Sequence, residues 1–287
     1  MAAITLLVAL AIVIYAVQAG GSSTRQRANS ATTRTPGTAR QTPPAKRPNP
    51  STESRGLQTI ARLARLGLPI YCAGNHGNEV AFTFDDGPGP YTHYALKKLR
   101  QSGERATFFV VGRSINNFPG YLQRELPLAT IGDHTYSHPL LTALSPDQVH
   151  SQISQTKALV ERESGQPVTL FRPPYGARNS TVDNVARSLG LLDIIWSVDS
   201  RDSLGANYAG ITRNVEAGLH PGAIILMHEN RGQTIRALTT LLPELHRRHL
   251  RSVSLPELFA TDPPSVAQVR RGGEGCGASV KPSRLSG

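Results

Sequence analysis

Two short segments of this chain carry side chains that can bind a metal ion together. The segment TFDDGP places Asp85 and Asp86 side by side at the end of an apolar run, just before a Gly-Pro turn. The segment HTYSH places His134 and His138 four residues apart. One aspartate and two histidines form a ligand set that leaves a coordination position open, which a catalytic metal ion needs. The remaining aspartate is then free to act as a base.

The residue types also limit which metal ion fits. Adjacent carboxylates repel each other unless a positive group lies nearby, so a cation or an arginine is expected beside them. A helical turn over residues 134–138 would bring both imidazoles to one side. With Asp86, these imidazoles suit a divalent metal ion. Zinc is favoured, and cobalt, nickel and iron remain open.

Three further apolar runs, at 168–171, 192–198 and 223–227, are followed directly by polar residues that could serve the same site. Arg172 begins the stiff segment RPPYG and can donate a charge-assisted hydrogen bond to the carboxylate base. In the same segment, the backbone N–H of Tyr175 can face a developing oxyanion. His228 ends another apolar run, and either Asp199 or Asp202 can hydrogen-bond it and raise its pKa, which suits a general acid.

Apolar runs alternate with helical patterns through the middle of the chain. The predicted strands cover residues 80–84, 106–111, 128–131, 168–171, 192–198 and 223–227. The predicted helices cover residues 91–101, 145–164, 179–189, 208–219 and 233–248. Continuous apolar runs are typical of parallel strands that are buried on both faces. This α/β pattern favours a barrel with helices outside, in which the polar groups at the strand ends converge on one face.

The ends of the chain differ from this middle part. Residues 1–19 form an apolar segment that predicts a signal peptide or a membrane anchor, and both remain open. The arginines after it favour a cytoplasmic domain by the positive-inside rule, whereas the linker composition and the site chemistry favour an extracytoplasmic one. The composition of residues 20–56 predicts a disordered linker that is rich in Ser, Thr and Pro. The catalytic domain, with a short leading helix, is predicted at 57–261, and a Pro- and Gly-rich tail at 262–287.

The positive charge of the chain lies mostly in its flanks. The net charge is +11, and residues 20–56 hold seven basic residues against Glu53. This linker is expected to contact an anionic surface such as a cell wall or a membrane. It has no aromatic residues among its charges, so it gives no support to specific nucleic-acid binding. Cys72 and Cys276 either form a disulfide in an oxidising compartment or remain two thiols.

Taken in order, these segments resemble the polysaccharide deacetylases of carbohydrate esterase family 4. The matching motifs are TFDDG at 83–87, HTxSH at 134–138, RxPYG at 172–176, DxxD at 199–202 and LxH at 226–228. The resemblance covers roughly residues 70–260. It implies a distorted (β/α) barrel with fewer than eight parallel strands, and metal-dependent removal of acetyl groups from sugar polymers.

The resemblance also implies a role for each motif residue. The expected metal ligands are Asp86, His134 and His138. The expected catalytic residues are the base Asp85, the arginine that positions it, Arg172, the general acid His228 and its partner Asp202. The residues expected beside the substrate are Tyr175, as the oxyanion contributor, and Leu226.

Two positions depart from the family pattern. Ser203 follows Asp202 where the family usually has Trp or Tyr, which removes an aromatic wall of the sugar groove. Asp133 precedes His134 where Asn is common. An extra carboxylate there can strengthen the field at the metal ion or hydrogen-bond a ligand histidine.

Together the motifs predict a hydrolase that removes N-acetyl groups from a cell-wall or chitin-like polysaccharide. Peptidoglycan N-acetylglucosamine or N-acetylmuramic acid is the favoured substrate. The protein is expected to act as a monomer, secreted or membrane-anchored, at the cell wall. An O-acetyl esterase of the xylan type and a non-catalytic glycan-binding protein that retains the fold remain alternatives.

Overall fold

One parallel sheet carries the strand ends at which the polar motifs lie. The structure is a computed structural model, and it describes residues 49–277. Within that range, seven strands follow one another in the order β5-β4-β3-β2-β1-β7-β6. They are β1 (Glu79–Gly87), β2 (Ala106–Val110), β3 (Ala129–Asp133), β4 (Leu170–Phe171), β5 (Leu192–Asp193), β6 (Val198–Asp199) and β7 (Ile224–His228). A two-residue strand outside this path, β8 (Arg251–Ser252), pairs with the start of β1.

The sheet is curled but not closed into a complete barrel. Its two edge strands, β5 and β6, are consecutive in the chain and are separated by residues 194–197. The neighbouring strands pair in parallel, as buried continuous apolar runs predict. The expectation of a distorted (β/α) barrel with fewer than eight strands in its curled sheet is therefore confirmed.

Ten helices surround this sheet in the described range. They are α1 (Pro50–Ala64), α2 (Thr92–Ser102), α3 (Gly112–Asn117), α4 (Tyr121–Glu125), α5 (Pro146–Ser164), α6 (Ser180–Ser188), α7 (Tyr208–Gly218), α8 (Gly232–Arg247), α9 (Leu255–Thr261) and α10 (Val266–Arg270). Short 3-10 turns cover Leu141–Ala143, Pro174–Gly176 and Gly272–Gly275. Helix α5 begins as its sequence predicts, because Ser145 is the N-cap, Pro146 is the first helical residue, and Gln148 in the first turn completes a reciprocal capping box with Ser145.

The two faces of the sheet belong to different apolar layers. Alternate residues such as Phe82 and Ile225 pack against α2, α5, α6, α7 and α8 on the outside. The intervening residues, such as Ala81 and Phe109, form a second cluster with α1 and α9. Because side chains alternate along a strand, the residues in register with Ala81 and Phe109 point into the curl of the sheet.

The sequence prediction of one continuous strand over residues 192–198 is wrong. The structure has two-residue strands β5 and β6 there, with irregular backbone between them. The physical cause is Arg172, whose guanidinium donates hydrogen bonds to the backbone carbonyl oxygens of Ile194 and Ile195 at 3.1 Å each. These carbonyls then serve a buried side chain rather than a neighbouring strand.

The first helix begins inside the range that we assigned to the linker. Helix α1 starts at Pro50, after an Asn49 side chain that accepts a hydrogen bond from the backbone N–H of Ser51. Gly56 packs so closely against α9 that an ideal Cβ there would lie 2.0 Å from the Pro256 carbonyl oxygen. Close packing on α9 therefore stabilises a helix that composition alone assigned partly to disordered chain.

Cys72 and Cys276 form a disulfide, which resolves the choice left open by the sequence. Their Cα atoms are 5.8 Å apart, within the range that a disulfide requires. The bond joins the chain before β1 to the segment after α10, so it attaches the first part of the tail to the domain. Gln268 of α10 reinforces this contact by donating to the Ala73 carbonyl oxygen at 2.7 Å.

Some sequence predictions lie outside the described residues. They are the signal peptide or anchor at 1–19, the linker up to residue 48 and the tail from residue 278. In the range that the structure describes, no helix is long and apolar enough to cross a membrane.

Replacing both cysteines by serine should destabilise the domain without changing its fold. The disulfide joins residues that are 204 positions apart in the sequence. It therefore lowers the conformational entropy of the unfolded chain, which stabilises the folded state. The expected loss is about 2–5 kcal/mol of the free energy of unfolding, or about 5–15 °C in Tm. Thermal unfolding of the double variant and of the reduced wild-type protein measures it. Equal Tm values for oxidised, reduced and variant proteins would contradict the stabilising role.

Candidate active site

Asp85 and Asp86 are not equivalent, because a bulge interrupts the strand between them. Along β1, Asp85 pairs with Phe109 and Gly87 with Val110, so Asp86 is an extra residue without a partner in β2. Asp86 also adopts a left-handed backbone conformation with φ 72°. Strand alternation points Asp85 into the curl, and the bulge turns Asp86 away from the outer layer, where alternation would place it. Both carboxylates thus lie at the same end of the sheet.

His134 and His138 come together through a loop, so the predicted helical turn is wrong. The segment follows β3 without helix, and both Thr135 and His138 have positive φ, at 68° and 60°. The loop is held from inside, because the Thr135 hydroxyl accepts a hydrogen bond from the His138 backbone N–H at 3.1 Å. Gln152 of α5 accepts from two further backbone N–H groups of the segment.

The three expected ligands converge with a geometry that fits a cation. Asp86, His134 and His138 offer one atom each within 4.8 Å of one another. Asp86 Oδ1 lies 3.3 Å from His138 Nε2 and 3.7 Å from His134 Nε2. This oxygen is buried and has no hydrogen-bond partner among the described residues. An orphaned carboxylate oxygen facing two imidazole nitrogens is what a divalent metal ion would satisfy.

The protonation of the two imidazoles also suits metal binding. His134 Nδ1 lies 2.7 Å from the Arg172 carbonyl oxygen, which can only accept, so this nitrogen carries the hydrogen and Nε2 is free. Burial and the neighbouring His134 lower the pKa of His138. A neutral imidazole is the form that coordinates a metal ion.

Arg172 is fully buried and holds Asp85 in place. One of its terminal nitrogens donates to Asp85 Oδ1 and to the Thr83 hydroxyl, both at 2.8 Å. Its guanidinium lies over the Phe109 ring, 4.2 Å from the centroid. The other carboxylate oxygen, Asp85 Oδ2, faces His134 Nε2 at 3.7 Å. One oxygen of Asp85 is therefore fixed by the arginine, and the other faces the cluster of ligands.

His228 pairs with Asp202, which decides between the two candidate aspartates. His228 Nδ1 lies 2.7 Å from Asp202 Oδ1, and the His228 backbone N–H donates to Oδ2 at 2.7 Å. Burial opposes the charged imidazole, but the hydrogen bond and charge of Asp202, with Asp85 and Asp86 nearby, raise the pKa of His228 to about 9. Asp199 instead accepts from the Arg201 backbone N–H. The His228 imidazole is thus held protonated at neutral pH.

Tyr175 and Leu226 border the same cluster from different sides. Tyr175 has a left-handed backbone at φ 63°, and its exposed ring packs edge-on against His138 with centroids 4.7 Å apart. Leu226 lies on β7, two residues before His228, and strand alternation points it into the curl. It is 5 % exposed, so it forms part of the buried wall below the site.

The two departures from the family pattern have different surroundings. Asp133 is fully buried, accepts from the Thr135 backbone N–H at 2.7 Å, and makes no hydrogen bond to an imidazole of the described chain. Burial raises its pKa well above the usual range. Of the two effects expected for this carboxylate, a hydrogen bond to a ligand histidine is not found, because Asp133 accepts from the loop backbone instead. Ser203 is exposed, beside an exposed Leu204.

Sequence reasoning missed several residues that support the site. Thr83 accepts from Arg172, and its position two residues before Asp85 on an alternating strand was a usable signal. Thr234, in the first turn of α8, donates to Asp202 Oδ2 at 2.5 Å. Asn230 donates to Asp86 Oδ2 at 3.3 Å. Nothing in the local sequence pointed to the last two contacts, because both join segments that are distant in the chain.

Comparison with known proteins identifies a family and several relatives. A family described as polysaccharide deacetylase matches residues 73–193. A peptidoglycan-N-acetylglucosamine deacetylase of Bacillus cereus is 36 % identical over 189 residues, covering 64 % of this chain and 69 % of that protein. The corresponding enzyme of Listeria monocytogenes is 40 % identical over 183 residues, which cover 63 % of this chain but only 39 % of that longer protein.

Solved structures show the same relationship. A peptidoglycan N-acetylglucosamine deacetylase structure matches with a TM-score of 0.65 and 33 % identity, covering 69 % of this chain and 95 % of that chain. A family 4 carbohydrate esterase pseudoenzyme from Bacillus anthracis matches with a TM-score of 0.63 and 29 % identity, covering 66 % of this chain and 68 % of that chain. With the ordered motifs and the parallel curled sheet, these matches place the chain in the polysaccharide deacetylase family, carbohydrate esterase family 4.

Proposed function

We propose that this protein hydrolyses the N-acetyl groups of an acetylated cell-wall polysaccharide, with peptidoglycan N-acetylglucosamine or N-acetylmuramic acid as the substrate. The observation that carries the proposal is the position of Asp85 between two different partners. Its Oδ1 is fixed by Arg172 at 2.8 Å, while its Oδ2 faces the ligand cluster. A fixed carboxylate with one free oxygen beside a cation site is suited to accept a proton from an attacking water molecule.

Asp86, His134 and His138 are the proposed ligands of a divalent cation, with zinc favoured for an imidazole and carboxylate set. When bound, such an ion supplies Lewis-acid chemistry, lowering the pKa of water and polarising an acyl carbonyl. His134 is anchored to the Arg172 carbonyl oxygen, and the bulge places the backbone of Asp86 at the same end of the sheet.

His228 is the proposed general acid that protonates the leaving sugar amine. Its Nδ1 is taken by Asp202, so Nε2 is the nitrogen that can donate to a substrate. Asp202 is fixed on its other oxygen by the Thr234 hydroxyl and by the His228 backbone N–H. Because Asp85 and His228 are register partners on the paired strands β1 and β7, the proposed base and acid are neighbours on the same face of the sheet.

The substrate groove is proposed to include Tyr175 and Leu226. The left-handed backbone at Tyr175 supports a role for its N–H at the developing oxyanion, and Leu226 contributes apolar wall. Ser203 provides no aromatic surface, whereas the neighbouring Leu204 is 70 % exposed. With the aliphatic Leu204 and no aromatic residue here, the proposed groove would restrict the orientation of a bound sugar less than an aromatic wall would.

The disulfide supports an extracytoplasmic location for this reaction. The Cys72–Cys276 disulfide is of the kind that persists outside the reducing cytosol. Attachment to a membrane and contact of the basic linker with the wall are part of the proposal, and the protein is proposed to act as a monomer. A matching pseudoenzyme makes a non-catalytic glycan-binding protein the second candidate, but the full set of base, acid and ligands favours catalysis.

Acetate release from purified substrates tests the proposed reaction. Peptidoglycan, chitin oligomers and acetylated xylan should be compared, using protein stripped of metal by chelation and then supplied with Zn²⁺ or Co²⁺. Release from peptidoglycan only after metal addition is expected. Faster release from acetylated xylan would show that the substrate is an ester and not an amide. Binding of a polysaccharide without any acetate release would favour the non-catalytic glycan-binding protein.

Asp85→Asn should abolish most turnover while leaving the cation site intact. Loss of a positioned base is expected to lower kcat by ~10²–10⁴-fold, because an amide cannot accept the proton. Metal affinity, measured by calorimetry, should remain close to that of the wild type, since Asp86 and both histidines are retained. Asp147→Asn, at an exposed aspartate in the first turn of α5, is the matched control. A variant at position 85 that keeps its kcat would exclude Asp85 as the base.

Asp202→Asn should shift the alkaline limb of the pH profile to lower pH. Asp202 raises the pKa of His228 to about 9, which keeps the acid protonated below that pH. Without this carboxylate, His228 loses its proton at lower pH, so kcat/KM should fall earlier as pH rises. Asp199→Asn is the control, because Asp199 makes no hydrogen bond to His228 in the described structure. An identical shift in both variants would contradict the specific role of Asp202.

A further inference from the structure

The two residues after His228 contact the turn that carries Asp86. Asn230 Nδ2 donates to Asp86 Oδ2 at 3.3 Å. The other oxygen, Asp86 Oδ1, faces the imidazoles of His134 and His138. The two oxygens of one carboxylate thus have different partners, an amide on one side and the ligand histidines on the other.

Asp86 needs such a contact because little else orients its side chain. It is the extra residue of a bulge, has a left-handed backbone, and its side chain is 22 % exposed. Rotation about its side-chain bonds would exchange the two oxygens or turn both away from the imidazoles. A hydrogen bond to Oδ2 removes this freedom and leaves Oδ1 directed at the histidines.

The amide orientation of Asn230 follows from chemistry. If its oxygen took the place of Nδ2, two acceptor oxygens would face each other, which is unfavourable beside a carboxylate. The donor must therefore point at Asp86. As a neutral donor, it orients the ligand without adding a negative charge beside Asp85 and Asp86.

Asn230 is itself held by the surrounding turn. Gly89 packs against Asn230, since a Cβ atom placed on that glycine would lie 3.4 Å from the Asn230 Cβ. The preceding residue, Glu229, is buried, and its backbone N–H donates to the Asp85 carbonyl oxygen at 3.2 Å. Its carboxyl group accepts from the Thr92 hydroxyl, which in turn accepts from the Gly89 N–H at 2.7 Å.

Gly87 completes this interlocked arrangement. An ideal Cβ at position 87 would lie 1.4 Å from Glu229 Oε1, so only glycine lets the turn approach the end of β7 this closely. The strand that carries the acid and the turn that carries the metal ligand are therefore packed as one unit. This fixes the backbone of Asn230 relative to Asp86.

We infer that Asn230 is a positioning residue of the cation site, which holds Asp86 so that a single oxygen is presented to the metal ion. The inference rests on the proposed function, because it assumes that Asp86, His134 and His138 bind the cation. It assigns a role to a residue outside the five sequence motifs. Asn230 acts through Asp86 and does not itself coordinate the metal ion.

Metal binding to the purified, metal-stripped protein tests this role. The dissociation constants for Zn²⁺ and Co²⁺ are measured by competition with a chromophoric chelator, and the absorption spectrum of the Co²⁺ protein reports the coordination geometry. Asn230→Ala should weaken metal binding by about 10–100-fold and change the Co²⁺ spectrum. Asn230→Leu keeps the approximate shape of the side chain but has no donor, and it should give the same result. This second variant keeps the test valid if Asn230→Ala folds poorly. Asn184→Ala, at an exposed asparagine of α6, is the matched control.

The outcomes separate this inference from the proposed function. Weaker binding and an altered spectrum, with an unchanged Tm of the metal-free protein, support the positioning role. If the wild type binds metal and both position-230 variants bind it equally with the same spectrum, Asn230 has no such role, while the proposed function stands. If the wild type itself binds neither ion, the proposed cation site is wrong, and this inference is overturned with it.

Discussion

Arg172 is fully buried inside a curled parallel sheet, where an unpaired guanidinium would cost several kcal/mol. It is stabilised by the Asp85 carboxylate, by the Thr83 hydroxyl and by two backbone carbonyls from the segment between β5 and β6. The aromatic ring of Phe109 lies below it. These partners come from the central strand β1 and from the segment between the two edge strands, so the guanidinium connects opposite parts of the curled sheet. The ion pair thus links the shape of the sheet with the position of Asp85, the proposed base.

The same constraint explains why the barrel stays open. The carbonyls of Ile194 and Ile195 accept from Arg172, and the edge strands β5 and β6 each have only two residues. A regular strand through residues 194–197 would need those carbonyls for a neighbour. The barrel wall is therefore interrupted where the buried Arg172 guanidinium is held, and the same guanidinium fixes the Asp85 carboxylate.

The proposed base, acid and metal ligands are close together because β1 lies in the middle of the strand order. Asp85 at the end of β1 is the register partner of His228 on β7, and β2 separates β1 from β3, after which His134 and His138 follow. The bulge at Asp86 then lets two adjacent carboxylates take different tasks. Glu229, directly after β7, donates to the Asp85 carbonyl oxygen and accepts from the Thr92 hydroxyl, which joins the end of β7 to the segment around Asp86.

Local sequence signals were enough to predict the residue types of the site and the alternation of strands and helices. Ordered motifs and continuous apolar runs sufficed for this, because ligand chemistry and burial on both faces leave local signals. The conformation of the loop between His134 and His138 and the break after Asp193 came from tertiary structure alone. Both depend on hydrogen bonds between separate segments, since Gln152 accepts from the histidine loop and Arg172 donates to the carbonyls after Asp193, and such bonds leave no local pattern. The motif resemblance already implied that Asp202 is the partner of His228, whereas residue types alone did not separate it from Asp199, because that pairing too joins distant segments.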